Sequence, residues 1–214
     1  MRRNTVVHGG DFLSPTQVFT KAVASLEDFQ RINAQPGGIS SGLQQVHSTI
    51  WQPPPMDMVK VNWDAAIDQR NSCVGLGILA RDATGQFMVA CGIKQRIVVD
   101  PTVAEAIAAL HAVIFAKELG FERVIFEGDS LTVMKAINSI GLCESSYGHF
   151  VEDVKTYSSD FAMSSFVHVP RGANSAAHTL AKEACTHVTE KFWWHCIPPC
   201  IGGIIRKEET SLYS

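Results

Sequence analysis

At 214 residues, with 46% hydrophobic and 18% charged content, the chain can bury one complete domain core and still carry tails. No apolar run approaches the ~20 residues that span a bilayer. No apolar h-region follows the charged start Met1-Arg2-Arg3, so the sequence reads as intracellular, with nucleus and cytoplasm both open. A net charge of −3, with 11 Lys and Arg against 15 Asp and Glu over residues 57–183, weighs against strong unaided binding to nucleic acid, whose affinity comes mainly from cations at phosphates.

Residues 1–56 read as an appendage. Ser14-Pro15 opens one amphipathic helix, with Val18, Phe19, Ala22, Val23, Leu26 and Phe29 at helical spacing. A Gly/Ser/Gln linker follows at 35–42, and Trp51-Gln52-Pro53-Pro54-Pro55 forms a stiff, extended lead-in. The domain proper covers 57–187. Strands are expected at 59–67, 74–81 and 86–93, the last two joined by the turn Asp82-Ala83-Thr84-Gly85. Pro101-Thr102 starts a helix with Ile107, Leu110, Val113 and Ile114 on its buried face and Gly120 at its C′ position. A fourth strand at 123–127, a helix at 130–139, a weaker helix at 145–158 and a strand at 166–169 follow. Asn174 then caps a last helix whose face of Ala177, Leu180, Ala181 and Ala184 is small enough for close packing. The order βββ-α-β-α-(α)-β-α requires an α/β architecture, a mixed sheet with helices on its faces. Residues 188–214 are expected to form an extended, aromatic and Pro-rich arm with a fraying tail. Six scattered cysteines without a CxxC pair fit reduced thiols.

Asp64, Glu105 and Asp129 stand at the joints of this pattern, and His178 stands at a fourth. Glu105 fits a capping box with Thr102, and Asp129 fits the N-cap of the second helix. Asp64 has no such explanation, because aspartate is depleted within strands. If the first and fourth strands are neighbours, the three carboxylates converge, and their mutual repulsion calls for cations. Mg²⁺ takes oxygen ligands and binds substrate phosphates, and two such ions ~4 Å apart can drive an in-line displacement at phosphorus.

The words Val59-Lys60-Val61-Asn62-Trp63-Asp64-Ala65-Ala66, Gly75 with Gly77, Arg81-Asp82-Ala83-Thr84-Gly85, Ala104-Glu105-Ala106, Glu127-Gly128-Asp129-Ser130 and Arg171-Gly172-Ala173-Asn174-Ser175-Ala176-Ala177-His178 occur in this order. Over residues 51–187 they resemble the type 1 ribonuclease H domain, and more narrowly its retrotransposon-derived, reverse-transcriptase-like form in plants. The resemblance implies a five-stranded mixed sheet, in which three antiparallel strands are followed by two parallel to the first, with helices on both faces. It also implies two-metal hydrolysis of the RNA strand in an RNA–DNA hybrid, leaving 3′-hydroxyl and 5′-phosphate ends. Asp64 would contact both ions, and Glu105 and Asp129 would hold one of them. A monomer is expected.

Three features depart from that pattern. His178 aligns with the fourth acid, where a neutral imidazole suits Zn²⁺ or Mn²⁺ better than Mg²⁺. It either ligates or only caps and packs, and its place near a helix N-terminus keeps it neutral. Ala65 replaces a glycine where the RNA backbone should pass. Residues 140–162 hold Glu144, Glu152, Asp153 and Asp160 against Lys155 alone, so a basic handle is missing. His149 reads as a proton shuttle or a solvated loop residue, and His195, Cys196 and Cys200 as a zinc fragment or simple packing. The alternative to a nuclease is an impaired, transposon-derived module that binds nucleic acid or protein.

Overall fold

The computed structural model describes residues 49–187 and 190–212; the expected helix and linker before residue 49 lie outside them. Strands β1 (Val59–Asp68), β2 (Cys73–Arg81) and β3 (Phe87–Gln95) form the antiparallel meander. The turn between β2 and β3 is closed by Asp82, whose Oδ1 accepts from the amides of Thr84 and Gln86, both at 2.9 Å. Gly85 takes the left-handed conformation (φ +84°) that this reversal demands. Helix α1 (Pro101–Glu118) follows, then β4 (Arg123–Gly128), α2 (Leu131–Asn138), α3 (Gly148–Ser158), β5 (Met163–His168) and α4 (Ser175–Ala184). β4 lies parallel to β1, and β5 parallel to β4.

The sheet has six strands, in the order β5-β4-β1-β2-β3-β6, where five were expected. The sixth, β6 (Lys191–Trp194), pairs antiparallel with β3, and α5 (Gly202–Leu212) follows it. The expected extended arm is therefore a strand and a helix of the domain. Four residues are too few to show a two-residue period, and Gly202-Gly203 disguises the start of a helix. Ile201 and Ile205 nevertheless sit fully buried against Leu79, Phe87, Ala90, Ala177 and Leu180.

Helices cover both faces. Ala90 is opposite Trp193, and both join the core under α4 and α5. Cys91 is opposite Phe192, which projects from the other face and stacks on Phe115 of α1 (centroids 6.5 Å, 18° between planes). On that second face Phe166 bridges Phe126, stacked at 5.0 Å, and Trp63, edge-on at 6.3 Å.

The seat of α4 is set by missing side chains. A Cβ on Gly75 would fall 2.1 Å from the Ala181 carbonyl oxygen, and one on Gly77 would fall 2.4 Å from that of Ala177. Both obstacles are helix backbone, so α4 lies on the strand itself. Gly77→Ala is expected to cost about 1–3 kcal/mol or more, as overpacking without a yielding side chain does. Urea unfolding reads this directly, and an unchanged midpoint would show that α4 can lift off without loss.

Candidate metal centre

Asp64 lies on β1, opposite Gly77 of β2, and is fully buried. The parallel pairing of β1 with β4 ends at Asn62 and Glu127; two residues further, the chains carry Asp64 and Asp129. Gly128 is required just before Asp129, because a Cβ there would meet the Trp63 indole at 2.7 Å. The first turns of α1 bring in Glu105, whose Oε1 accepts from the Ala65 amide at 3.4 Å. One ligand oxygen from each of Asp64, Glu105 and Asp129 lies within 4.8 Å of the others. Among the described residues this is the one group of His, Cys, Asp and Glu dense enough for a metal ion.

Neither helix-capping explanation survives. Pro101 is the first residue of α1, so Thr102 lies inside the helix, and the Glu105 carboxylate turns to β1 instead. The N-cap of α2 is Ser130, which leaves the Asp129 side chain free to face Arg171. Both acids are thus aimed into the cluster rather than at their own helices.

The cluster is electrostatically uncomfortable as it stands. Burial, reinforced by the charges of Glu105 and Asp129, pushes the Asp64 carboxyl up to about 9. Burial and Asp129 push Glu105 up to about 8. Asp64 Oδ1 and Glu105 Oε2 are buried without a hydrogen-bond partner. Two buried, unsatisfied carboxylate oxygens in one cluster fit a hard divalent cation, which would neutralise the charge and supply the missing partner.

His178, in the first turn of α4, meets the cluster directly: its Nδ1 is 2.7 Å from Asp64 Oδ2. Its pKa is lowered by burial and by the nearby Arg171 and Lys182 charges, so the ring is held neutral and shares a single proton with Asp64 across this contact. The capping alternative drops out, since the contact runs to β1. Arg171 Nη2 lies 2.7 and 2.9 Å from Nδ1 and Nε2 of His178, close against the imidazole. Its Nη1 lies 3.5 Å from Asp129 Oδ2. A closed ring of contacts results: Asp64, His178, Arg171, Asp129.

Three residues hold the site in ways their sequence context did not announce: Arg171, Asn62, and Asn174, which was expected only as a cap. Arg171 was visible only as a letter in a motif. Asn174 occupies the N-cap of α4, but its side chain does not cap: Nδ2 donates to the Trp63 carbonyl at 2.8 Å, and Oδ1 accepts from Asn62 at 3.3 Å. Asn62 in turn donates to Glu127 (3.0 Å) and accepts from Trp51 Nε1 (2.9 Å). The signal was present as two amide residues, Asn62 and Asn174, at positions otherwise apolar or helical. Other candidates stay apart. His149 is exposed on α3, its ring against Phe150 at 3.9 Å. Cys196 is exposed and Cys200 half-buried beyond β6, and neither joins a ligand cluster. Ala65 is half-buried beside the acids.

The sequence pattern of the reverse transcriptase-like family matches residues 62–184, more than half of the chain, a span that includes Asp64, Glu105, Asp129, Arg171 and His178. No curated protein sequence matches the chain. Similar solved structures include ribonuclease H1 from the halophilic archaeon Halobacterium salinarum, with 23% identity, a TM-score of 0.55 and coverage of 59% of this chain and 96% of that one. The N-terminal ribonuclease H domain of a Mycobacterium tuberculosis protein is similar at 18% identity and a TM-score of 0.54, over 60% and 93% of the two chains. LC11 ribonuclease H1, solved in complex with an RNA/DNA hybrid, is similar at 18% identity and a TM-score of 0.52, over 59% and 96%. The chain belongs to the reverse transcriptase-like family, and its domain has the type 1 ribonuclease H-like fold.

Proposed function

We propose that this domain is a metal-dependent endonuclease that hydrolyses the RNA strand of RNA–DNA hybrids, with Mg²⁺ or Mn²⁺ held by Asp64, Glu105 and Asp129. The observation that carries the reading is the under-satisfied carboxylate cluster just beyond the point where β4 stops pairing with β1. A divalent ion in such a setting supplies an activated water and neutralises charge at the scissile phosphate.

The chain's own residues do the positioning. The Ala65 amide orients Glu105, and Gly128 lets the Trp63 indole lock the end of β4 beside Asp64. Asp64 faces both the other two acids and His178, so it would serve both stations of a two-ion mechanism. His178 would be the protein ligand on the second side. A neutral imidazole is a poor Mg²⁺ ligand, which makes Mn²⁺ the better activator. The retrotransposon-derived subgroup seen in plants belongs to the same proposal; its supporting words include the lead-in Trp51–Pro55, of which Trp51 is buried in the domain. No described helix is long and apolar enough to cross a membrane.

A labelled RNA–DNA hybrid tests the reading. Cleavage of the RNA strand with Mg²⁺ or Mn²⁺ is expected, and Asp64→Asn should slow it by roughly a hundredfold or more, as loss of a coordinating charge does. Hybrid binding without cleavage, or equal cleavage by both proteins, would favour instead the impaired binding module to which His178 and Ala65 point.

Ion binding is also legible in stability. Folding raises Asp64 from 3.8 to about 9 and Glu105 from 4.5 to about 8. The metal-free folded protein therefore holds more protons than the unfolded chain across this window, and the pair's contribution to stability is lost as pH rises from about 4 to about 9. A divalent ion binds the ionised carboxylates and opposes that loss. The gain in Tm from saturating Mn²⁺ should thus be larger near pH ~8.5 than near pH ~6. Equal gains in thermal melts at the two pH values would place the ion elsewhere.

A further inference from the structure

Arg171 sits where the carboxylate cluster meets its second station, and none of the roles above uses it. It lies in the turn Pro170–Asn174, which is held at both ends. The Ala173 amide donates to the Pro170 carbonyl at 2.9 Å, the Asn174 amide to that of Arg171 at 3.1 Å, and the His178 amide to that of Asn174 at 3.0 Å. Gly172 fixes the turn from outside, since a Cβ there would fall 2.5 Å from the Thr49 carbonyl oxygen. The guanidinium is tied to the site, yet its side chain remains 64% exposed. It is therefore anchored by contact with Asp129 and His178 rather than by burial, and can leave.

Charge completes the picture. Three carboxylates bring three negative charges, and an arginine keeps its charge at any relevant pH. One divalent ion plus one guanidinium balances the three acids. Two divalent ions plus the guanidinium would leave the site with a surplus of positive charge in a poorly solvated setting. The guanidinium also lies against His178, the ligand given above to the second ion, with Nη2 2.7 and 2.9 Å from its ring nitrogens, and against Oδ2 of Asp129 at 3.5 Å.

We propose that Arg171 takes the place of the second cation, so that the resting centre holds one divalent ion and admits another only when Arg171 is displaced. This rests on the metal-centre reading above and deepens it. Arg171 is then a positioning and specificity residue. It keeps His178 and Asp129 together in the one-ion state, and an incoming substrate phosphate, as an alternative partner for a guanidinium, is the group suited to draw it away.

Mn²⁺ titration of the full chain, followed by isothermal calorimetry and by the EPR signal of the free ion, counts bound ions without reference to activity. The unaltered protein should bind one ion tightly. Arg171→Gln should tighten a second by about tenfold or more, with the Tm little changed because the side chain is exposed. Lys182→Gln removes the same charge one turn beyond His178 without touching Asp129, and should leave the second ion's affinity within about twofold. Equal second-ion affinity in the unaltered protein and Arg171→Gln overturns the proposal alone, as does an equal gain from Lys182→Gln, which would reduce Arg171 to general charge. No ion bound by any of the three overturns the metal-centre reading and this proposal with it.

Discussion

The close approach of α4 to β2 sets everything at this site. Gly75 and Gly77 present bare backbone, and Ala177 and Ala181 return it with the smallest side chains that still favour a helix. The helix is brought so near that His178, one residue past Ala177, reaches Asp64, which is paired with Gly77 itself. A side chain at any of these contacts would move the fourth station away from the first. Asn174 adds a second tie, joining the start of α4 to the Trp63 carbonyl just before Asp64. Strand and helix are therefore locked to each other on both sides of the carboxylate cluster, as preorganisation of the proposed metal centre would require.

Behind that seam lies a buried polar network. Arg81 is clamped between Glu208 of α5, at 2.5 Å, and the Trp51 ring, whose centroid lies 3.4 Å from the guanidinium carbon. Lys60 pairs with Glu127 at 2.7 Å and donates to the Gln52 carbonyl at 2.6 Å. Asn62 joins the two halves. The lead-in and the C-terminal helix, both outside the expected domain limits of 57–187, thus supply partners for charges buried beneath β1 and β4. Leaving either charge without its partner would be costly, which makes these flanking segments part of the domain's stability rather than appendages.

The elements with a strong repeating pattern were legible in the sequence. The meander, α1 and α4 follow from alternation, Pro and Gly punctuation and the alanine stripe, and Asp64 stood out because an acid inside an apolar strand has no local reason to be there. What failed was decided by long-range geometry. Glu105 and Asp129 each matched a local capping rule, but Pro101 and Ser130 take those positions and release both carboxylates toward β1. β6 is too short to carry a period and is defined by its pairing with β3. Arg171 could not be read at all, because its meaning lies in two partners, one on another element and one seven residues along the chain.

The need for a cation at this site rests on the two buried, unpartnered oxygens of Asp64 and Glu105, with the Asp129 carboxylate beside them. Anomalous diffraction from crystals soaked in Mn²⁺ tests it most directly. It predicts a peak within coordination distance of Asp64, Glu105 and Asp129. A fully soaked crystal whose peaks all lie elsewhere, with those three carboxylates bonded only to one another, would contradict it.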